Sequence, residues 1–311
     1  MRHILLFFFL LMIGLTAHGQ NRLIGERSVY TQYFESPYLL NPGATGLNDY
    51  SEVLANYRSA WASFPGSPKT ITVAYDGPVG NRLGLGLIGV SDTYAGFSTN
   101  KGILNLSYSI KTPDHQIGFG LTGEFIQHTL TSDAVANTII NDTDPAILSR
   151  LDGSTYFDGG FGLYGEYKGK VIYGVSLPAL ISNRINGVGD DNTETEISYI
   201  AHLGYRLQVE DKDITFEPSV WVKKLMMIPM HVDINLKADF LNEQLTAGLV
   251  GSVGAEERVG FLIGTQVENF GLHYTYNVSL NEFQEFNNGS HEIGLKLRLQ
   301  PYNRTPPPSD N

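Results

Sequence analysis

Leu104-Asn105-Leu106-Ser107-Tyr108-Ser109-Ile110, then Thr112-Pro113-Asp114, then Ile117-Gly118-Phe119-Gly120-Leu121-Thr122: this stretch decides the fold. Apolar side chains fall on every second residue, and small or polar ones lie between them. Successive side chains of a strand point to opposite faces, so each run is a strand with one apolar face. Pro and Asp between the runs mark a tight turn. The pattern recurs at Leu83/Leu85/Leu87, Val171/Tyr173/Val175/Leu177, Tyr199/Ala201/Leu203/Tyr205, Val232/Ile234/Leu236/Ala238, Leu245/Ala247/Leu249, Phe270/Leu272/Tyr274/Tyr276/Val278 and Ile293/Leu295/Leu297/Leu299. No segment keeps a 3.6-residue period over three turns.

About fourteen strands follow from this reading. They lie near 52–61, 69–76, 82–92, 97–111, 115–129, 155–167, 170–178, 196–209, 213–223, 231–240, 244–253, 257–266, 270–280 and 290–300. Most approach or exceed the ~9–11 residues that a membrane-spanning strand needs. Connections after even-numbered strands are short, such as Gly77–Asn81, Thr112–Asp114 and Lys168-Gly169. Those after odd-numbered strands tend to be longer, such as Leu130–Ser154, Ile181–Thr195 and Asn281–Gly289. Short turns at one end and long loops at the other predict an all-β transmembrane antiparallel barrel, with both termini on the periplasmic side. A soluble β-sandwich or lipocalin-like barrel is the competing fold. Tyr57, Trp61, Tyr94, Phe97 and Trp221 are expected in interfacial aromatic girdles.

Composition agrees. The 311 residues include 34 Gly, 17 Tyr and 16 Phe but no Cys, with a net charge of −11. Repeated apolar runs of about 20 residues are missing, which rules out a polytopic helical membrane protein. Without Cys there is no disulfide scaffold, thiolate metal site or cysteine nucleophile. The acidic balance argues against nucleic acid as a partner. Only 17% of residues are charged, against ~25% in an average soluble domain.

At the start, Arg2 and His3 precede the apolar run Ile4 to Leu15, and Ala17-His18-Gly19 supplies small residues at cleavage positions. Residues 1–19 are expected to be a secretory signal peptide. Residues 20–51 then form a periplasmic N-terminal segment, 52–300 the outer-membrane barrel, and 301–311 a Pro-rich tail, since Pro cannot extend a ladder.

Gly84-Leu85-Gly86-Leu87-Ile88-Gly89 matches a dinucleotide-binding fingerprint, but it lies within a strand and recurs at Gly118–Gly123 and Gly160–Gly165. A cofactor loop must open a helix. Inward-facing glycine, which lets the wall curve or another segment come close, accounts for all three. Asn141-Asp142-Thr143-Asp144 and Asp190-Asp191-Asn192 read as solvated loop or as weak Ca²⁺ candidates without EF-hand spacing. Glu124 and His128 share a strand face without touching. No hydrolase or zinc-protease motif is present. No catalytic, cofactor or metal site is therefore expected, and no enzyme activity.

Several segments in order resemble the PorP/SprF family of the Bacteroidetes type IX secretion system. Tyr30-Thr31-Gln32-Tyr33 with Leu40-Asn41-Pro42-Gly43-Ala44-Thr45-Gly46 is similar to its opening. Tyr57-Arg58-Ser59-Ala60-Trp61 resembles its first strand, and Phe64-Pro65-Gly66-Ser67-Pro68-Lys69-Thr70 the hairpin that follows. Leu83-Gly84-Leu85-Gly86 and Ser290-His291-Glu292-Ile293 also fit. Gly43 departs from the usual Ala, Ala60 from a polar residue, and the Pro-rich tail is additional. The resemblance implies a non-enzymatic outer-membrane component of the secretion and gliding machinery. It implies outer-membrane lipid, periplasmic peptidoglycan-linked components, and a large adhesin-like client bearing a type B C-terminal sorting domain as partners. An outer-membrane channel for small or hydrophobic solutes is the alternative. Asn41, Pro42, Tyr57, Arg58, Trp61, Pro68 and Lys69 are the expected structural or partner-binding motif. The segment before the first strand is expected to fold into or under the barrel mouth.

Overall fold

A computed structural model describes residues 30–130, 153–181, 183–186, 197–209, 212–225, 228–254, 257–280 and 282–299. The expected signal peptide, both acidic loop clusters and the Pro-rich tail lie outside these residues.

The strands are β1 (Glu52–Ser59), β2 (Lys69–Pro78), β3 (Leu83–Tyr94), β4 (Phe97–Lys111), β5 (His115–Leu130), β6 (Ser154–Tyr167), β7 (Val171–Leu177), β8 (Asn183–Asn186), β9 (Tyr199–Tyr205), β10 (Leu207–Val209), β11 (Ile214–Lys224), β12 (His231–Phe240), β13 (Leu245–Gly254), β14 (Arg258–Val267), β15 (Phe270–Ser279) and β16 (Ser290–Arg298). Consecutive staves pair antiparallel, and β16 returns to pair with β1. β9 and β10 are one stave, because both pair with β11 in a single register: Gly204 opposite Ser219, Leu207 opposite Phe216. The interruption lies at Arg206, beside Pro218, which has no N–H to donate. The short β8 pairs with the outer end of β6. The result is a closed barrel of fourteen staves.

The outer face is apolar. Leu121, Ile263, Val267 and Phe270 are 63–67% exposed, as suits side chains whose solvent is lipid. The inner face is polar or small: Thr70, Thr72, Asp76, Asn105, Ser107, Thr275 and Glu292 are all buried. Closure satisfies the backbone, which a lipid environment demands. Lys168 and Gly169 both take left-handed φ (52° and 63°), the geometry of a two-residue hairpin turn that matches strand twist. On the long-loop side one connection is also tight, the left-handed Ala95-Gly96 between β3 and β4.

Two features refine the expectations. Trp221 is not in a girdle. It points inward from β11, 3% exposed, because Val220 and Val222 hold the lipid-facing positions. Residues 30–47 lie inside the barrel and form its interior filling: Tyr30, Tyr33, Phe34, Tyr38, Leu39, Ala44 and Leu47 join inward wall residues in one buried cluster.

Candidate functional site

The luminal segment has little regular structure, only three single 3-10 turns at Gln32–Phe34, Pro37–Leu39 and Pro42–Ala44. Pro at the first position of the second and third turns pre-sets φ there. Asn41 Oδ1 accepts from the Gly43 N–H at 2.9 Å, capping the third turn, while its Nδ2 donates to the Leu163 carbonyl at 2.9 Å. The segment thus carries its own cap and is pinned to β6 by the same side chain.

At the short-turn end it lies directly on the β3–β6 wall. A Cβ on Gly84 would collide with the Thr45 carbonyl, one on Gly118 with the Gly43 carbonyl, one on Gly120 with Pro42, and one on Gly162 with Asn41 and Pro42. The fit is reciprocal. A Cβ on Gly43 would stand 2.7 Å from the Tyr164 nitrogen and 2.8 Å from the Gly118 carbonyl. The first two glycines of each fingerprint-like triplet face inward, and most of them are paving for this segment. Ser107 Oγ, Gln116 Nε2 and Asp76 Oδ1 add hydrogen bonds to the Thr45 carbonyl, the Leu47 carbonyl and the Gly46 N–H respectively.

Toward the long-loop end the contacts change character. Glu292 on β16 accepts from the Thr31 N–H (2.8 Å), the Gln32 N–H (3.3 Å) and Asn56 Nδ2 (2.9 Å). Asp233 on β12 accepts from Tyr33 Oη (2.5 Å), Lys223 Nζ (2.6 Å) and Ser252 Oγ (2.5 Å). Lys223 also sits 3.8 Å from the Tyr33 ring centre, and Trp221 packs edge-on against that ring. Burial, then the Asp233 charge, push the Tyr33 hydroxyl well above its ordinary value, so it acts as a neutral donor. Nearer the short-turn ends of β12, β15 and β16, Glu35 meets Lys237 (3.4 Å), His273 (3.5 Å) and Lys296 (3.8 Å). Burial alone would raise the Glu35 carboxyl, but Lys237, Lys296 and His273 together hold it down at about 2. Charges buried this way persist only when partnered.

The seven motif residues do not converge. Asn41 and Pro42 are luminal. Tyr57 faces outward from β1, 43% exposed. Arg58 faces the lumen, with Glu292 opposite it on β16. Trp61, Pro68 and Lys69 belong to the first long-loop-side hairpin, where the Trp61 N–H donates to Ser290 Oγ and the Ala60 N–H to the Pro68 carbonyl. That hairpin is tied to the last one: the Ala62 N–H donates to the Gly289 carbonyl and the Asn288 N–H to the Ala62 carbonyl. Trp61 and Ser63 take left-handed φ of 52° and 73°, unusual for such residues. Glu124 pairs with Lys101 at 3.0 Å and His128 bonds Thr99 at 2.9 Å, so the two do not meet. Sequence reasoning met Thr31 and Tyr33 only as part of the family-like opening, without a role, and missed Glu35, Asp233 and Lys223. Buried-charge residues in a lumen-facing phase of β11 and β12 were the only available sign of the last two.

Several solved structures align along most of the chain. The toluene transporter TbuX of Ralstonia pickettii aligns at 10% identity over 90% of this chain and 96% of its own, with a TM-score of 0.49. The monoaromatic hydrocarbon channel CymD aligns at 10% identity over 89% and 94%, TM-score 0.48. The Acinetobacter baumannii outer membrane protein Omp33 aligns at 8% identity over 82% and 100%, TM-score 0.46. No curated protein matches the chain. The family model described as type IX secretion system membrane protein PorP/SprF matches residues 24–297.

Proposed function

The chain belongs to the PorP/SprF family of type IX secretion system membrane proteins, and from that premise we propose that this outer-membrane barrel supports the secretion or surface anchoring of a large adhesin-like client. In this reading it is not an enzyme. The client carries a type B C-terminal sorting domain and meets the long-loop rim, while peptidoglycan-linked components of the secretion and gliding machinery meet the short-turn mouth. Asn41 and Pro42 seat the luminal segment, Tyr57 faces lipid, and Arg58, Trp61, Pro68 and Lys69 build the first hairpin beside the β1–β16 seam.

The observation that carries this reading beyond family membership is the filled lumen. A channel for small or hydrophobic solutes needs a through-path, and here residues 30–47 occupy the interior, held by glycine contacts on one side and by buried charged groups on the other. The test replaces Arg58 and Trp61 separately by Ala. Normal heat-modifiable barrel migration with lost client display supports the role. Loss of the barrel itself would sink it, and so would a large, stable single-channel conductance of the unaltered protein, which favours the channel.

A further inference from the structure

Outward side chains change character row by row along three adjacent strands, β2, β1 and β16. Val73, Ala55 and Leu295 stand side by side, and Ile71, Tyr57 and Ile293 form the next row toward the long loops. Both rows are exposed and offer lipid an apolar surface. The row above them is Lys69, Ser59 and His291. Alternation turns all three outward, because their chain neighbours Thr70, Arg58, Ser290 and Glu292 are buried on the inner face. Tyrosines fix the depth of this row. Tyr57 lies one row below it, and on β15 Tyr274 stands opposite Ile293 and Tyr276 opposite His291. Aromatic girdles mark the level where acyl chains give way to head groups. The polar row therefore lies at head-group level, at the long-loop end.

Its members are donors without an acidic neighbour. Glu52, Asp76 and Glu292, the carboxylates of these strands, are all buried on the inner face, so none stands beside the exposed Lys69 ammonium. His291 Nδ1 meets the Tyr274 hydroxyl at 2.7 Å. With that hydroxyl donating, the imidazole proton sits on Nε2 and offers a second donor. The Ser59 hydroxyl lies between the two. Neighbouring strands are about 4.8 Å apart, which puts the Lys69 and His291 backbones about 10 Å from each other, near enough for both side chains to converge above Ser59. We infer that Lys69, Ser59 and His291 form a binding site for the phosphate of an outer-leaflet lipid head group, with the acyl chains lying on the two apolar rows beneath. Lys supplies a point charge, and the hydroxyl and imidazole supply hydrogen bonds to phosphate oxygens. The site straddles the seam where β16 closes on β1, so a lipid held there bridges the first and last strands. The inference rests on the orientation with long loops outside.

The test titrates full-length protein in detergent with lipid A bearing its phosphates, and separately with dephosphorylated lipid A, counting bound lipid by native mass spectrometry. Phosphorylated lipid A is expected to bind more tightly. Lys69→Gln should weaken it about fivefold, and His291→Gln should weaken it too. Lys170→Gln removes an exposed charge at the short-turn end and should change nothing. Heat-modifiable migration verifies that each variant is folded, and the two site variants report independently. Unchanged binding in both, equal binding of dephosphorylated lipid A, or an equal loss in Lys170→Gln overturns the inference. Displacement of lipid A by equimolar inorganic phosphate overturns the lipid as its ligand. None of these outcomes bears on client secretion, which surface display measures.

Discussion

One short segment is held by two walls of the same barrel in two different ways. Against β3–β6, the backbone of residues 41–46 lies on the backbone of glycines, so shape sets the fit there, with hydrogen bonds to Ser107 and the Leu163 carbonyl beside it. Against β11–β16 and β1, residues 30–35 are held by side chains: Glu292, Asp233, Lys223, Arg258, Lys237 and Lys296. Shape contacts are unforgiving of added volume but indifferent to charge state. Charge contacts tolerate small displacements but fail when one member loses its partner. The segment is therefore fixed at its C-terminal half by sterics and at its N-terminal half by electrostatics.

The largest effect is expected at the charged wall. Asp233→Ala removes the buried carboxylate that pairs with Lys223 at 2.6 Å, and breaking a buried pair from one side costs about 3–5 kcal/mol. Protease access to residues 30–40 in the folded barrel should rise sharply, and an unchanged digestion pattern would show that the charges do not hold the segment. Next comes the paved wall. Gly162→Val places methyls where Asn41 and Pro42 sit, an overpacking cost of about 1–3 kcal/mol. The barrel should still close, since its lipid face is untouched, while planar-bilayer recordings gain conductance. A silent recording would mean the wall yields and the glycines are not paving.

Proton concentration should separate the two walls. The Glu35 carboxyl is depressed in the folded protein, from an ordinary 4.5 to about 2. Its contribution is full above pH 4.5 and is lost as pH falls through about 2. Segment release, followed by proteolysis with an acid-active protease, should rise across that window, and Glu35→Gln should flatten the dependence. The smallest effect is expected for Tyr33→Phe. It removes one hydrogen bond, worth about 1 kcal/mol, from an Asp233 that keeps Lys223 and Ser252.

The wall was legible from sequence because its information is local. Leu104/Leu106/Tyr108 and Phe119/Leu121 report a face by their spacing alone, and Lys168-Gly169 reports a turn by itself. Residues 30–50 have no period to read. Their partners lie far away in sequence, Glu292 for Thr31 and Asp233 for Tyr33, and only closure of the sheet brings them near. The glycine triplets were legible halfway: their inward phase followed from alternation, but the choice between curvature and close approach needed Pro42 and Gly43 in place. Trp221 was misjudged because an aromatic near a strand end suits either face, and only the phase of β11 against Tyr33 chose the inner one.

The sequence by itself determined a fourteen-stave antiparallel barrel with an apolar outside, because period-two alternation and turn chemistry act over a few residues at a time. It also carried the order of motifs that resembles its family. Only the tertiary structure decided that the lumen is filled, and which wall residues meet the filling with charge and which with bare backbone. Those depend on groups from 30 to 261 residues apart in sequence meeting across a closed cylinder, and no local pattern encodes a distance of that kind.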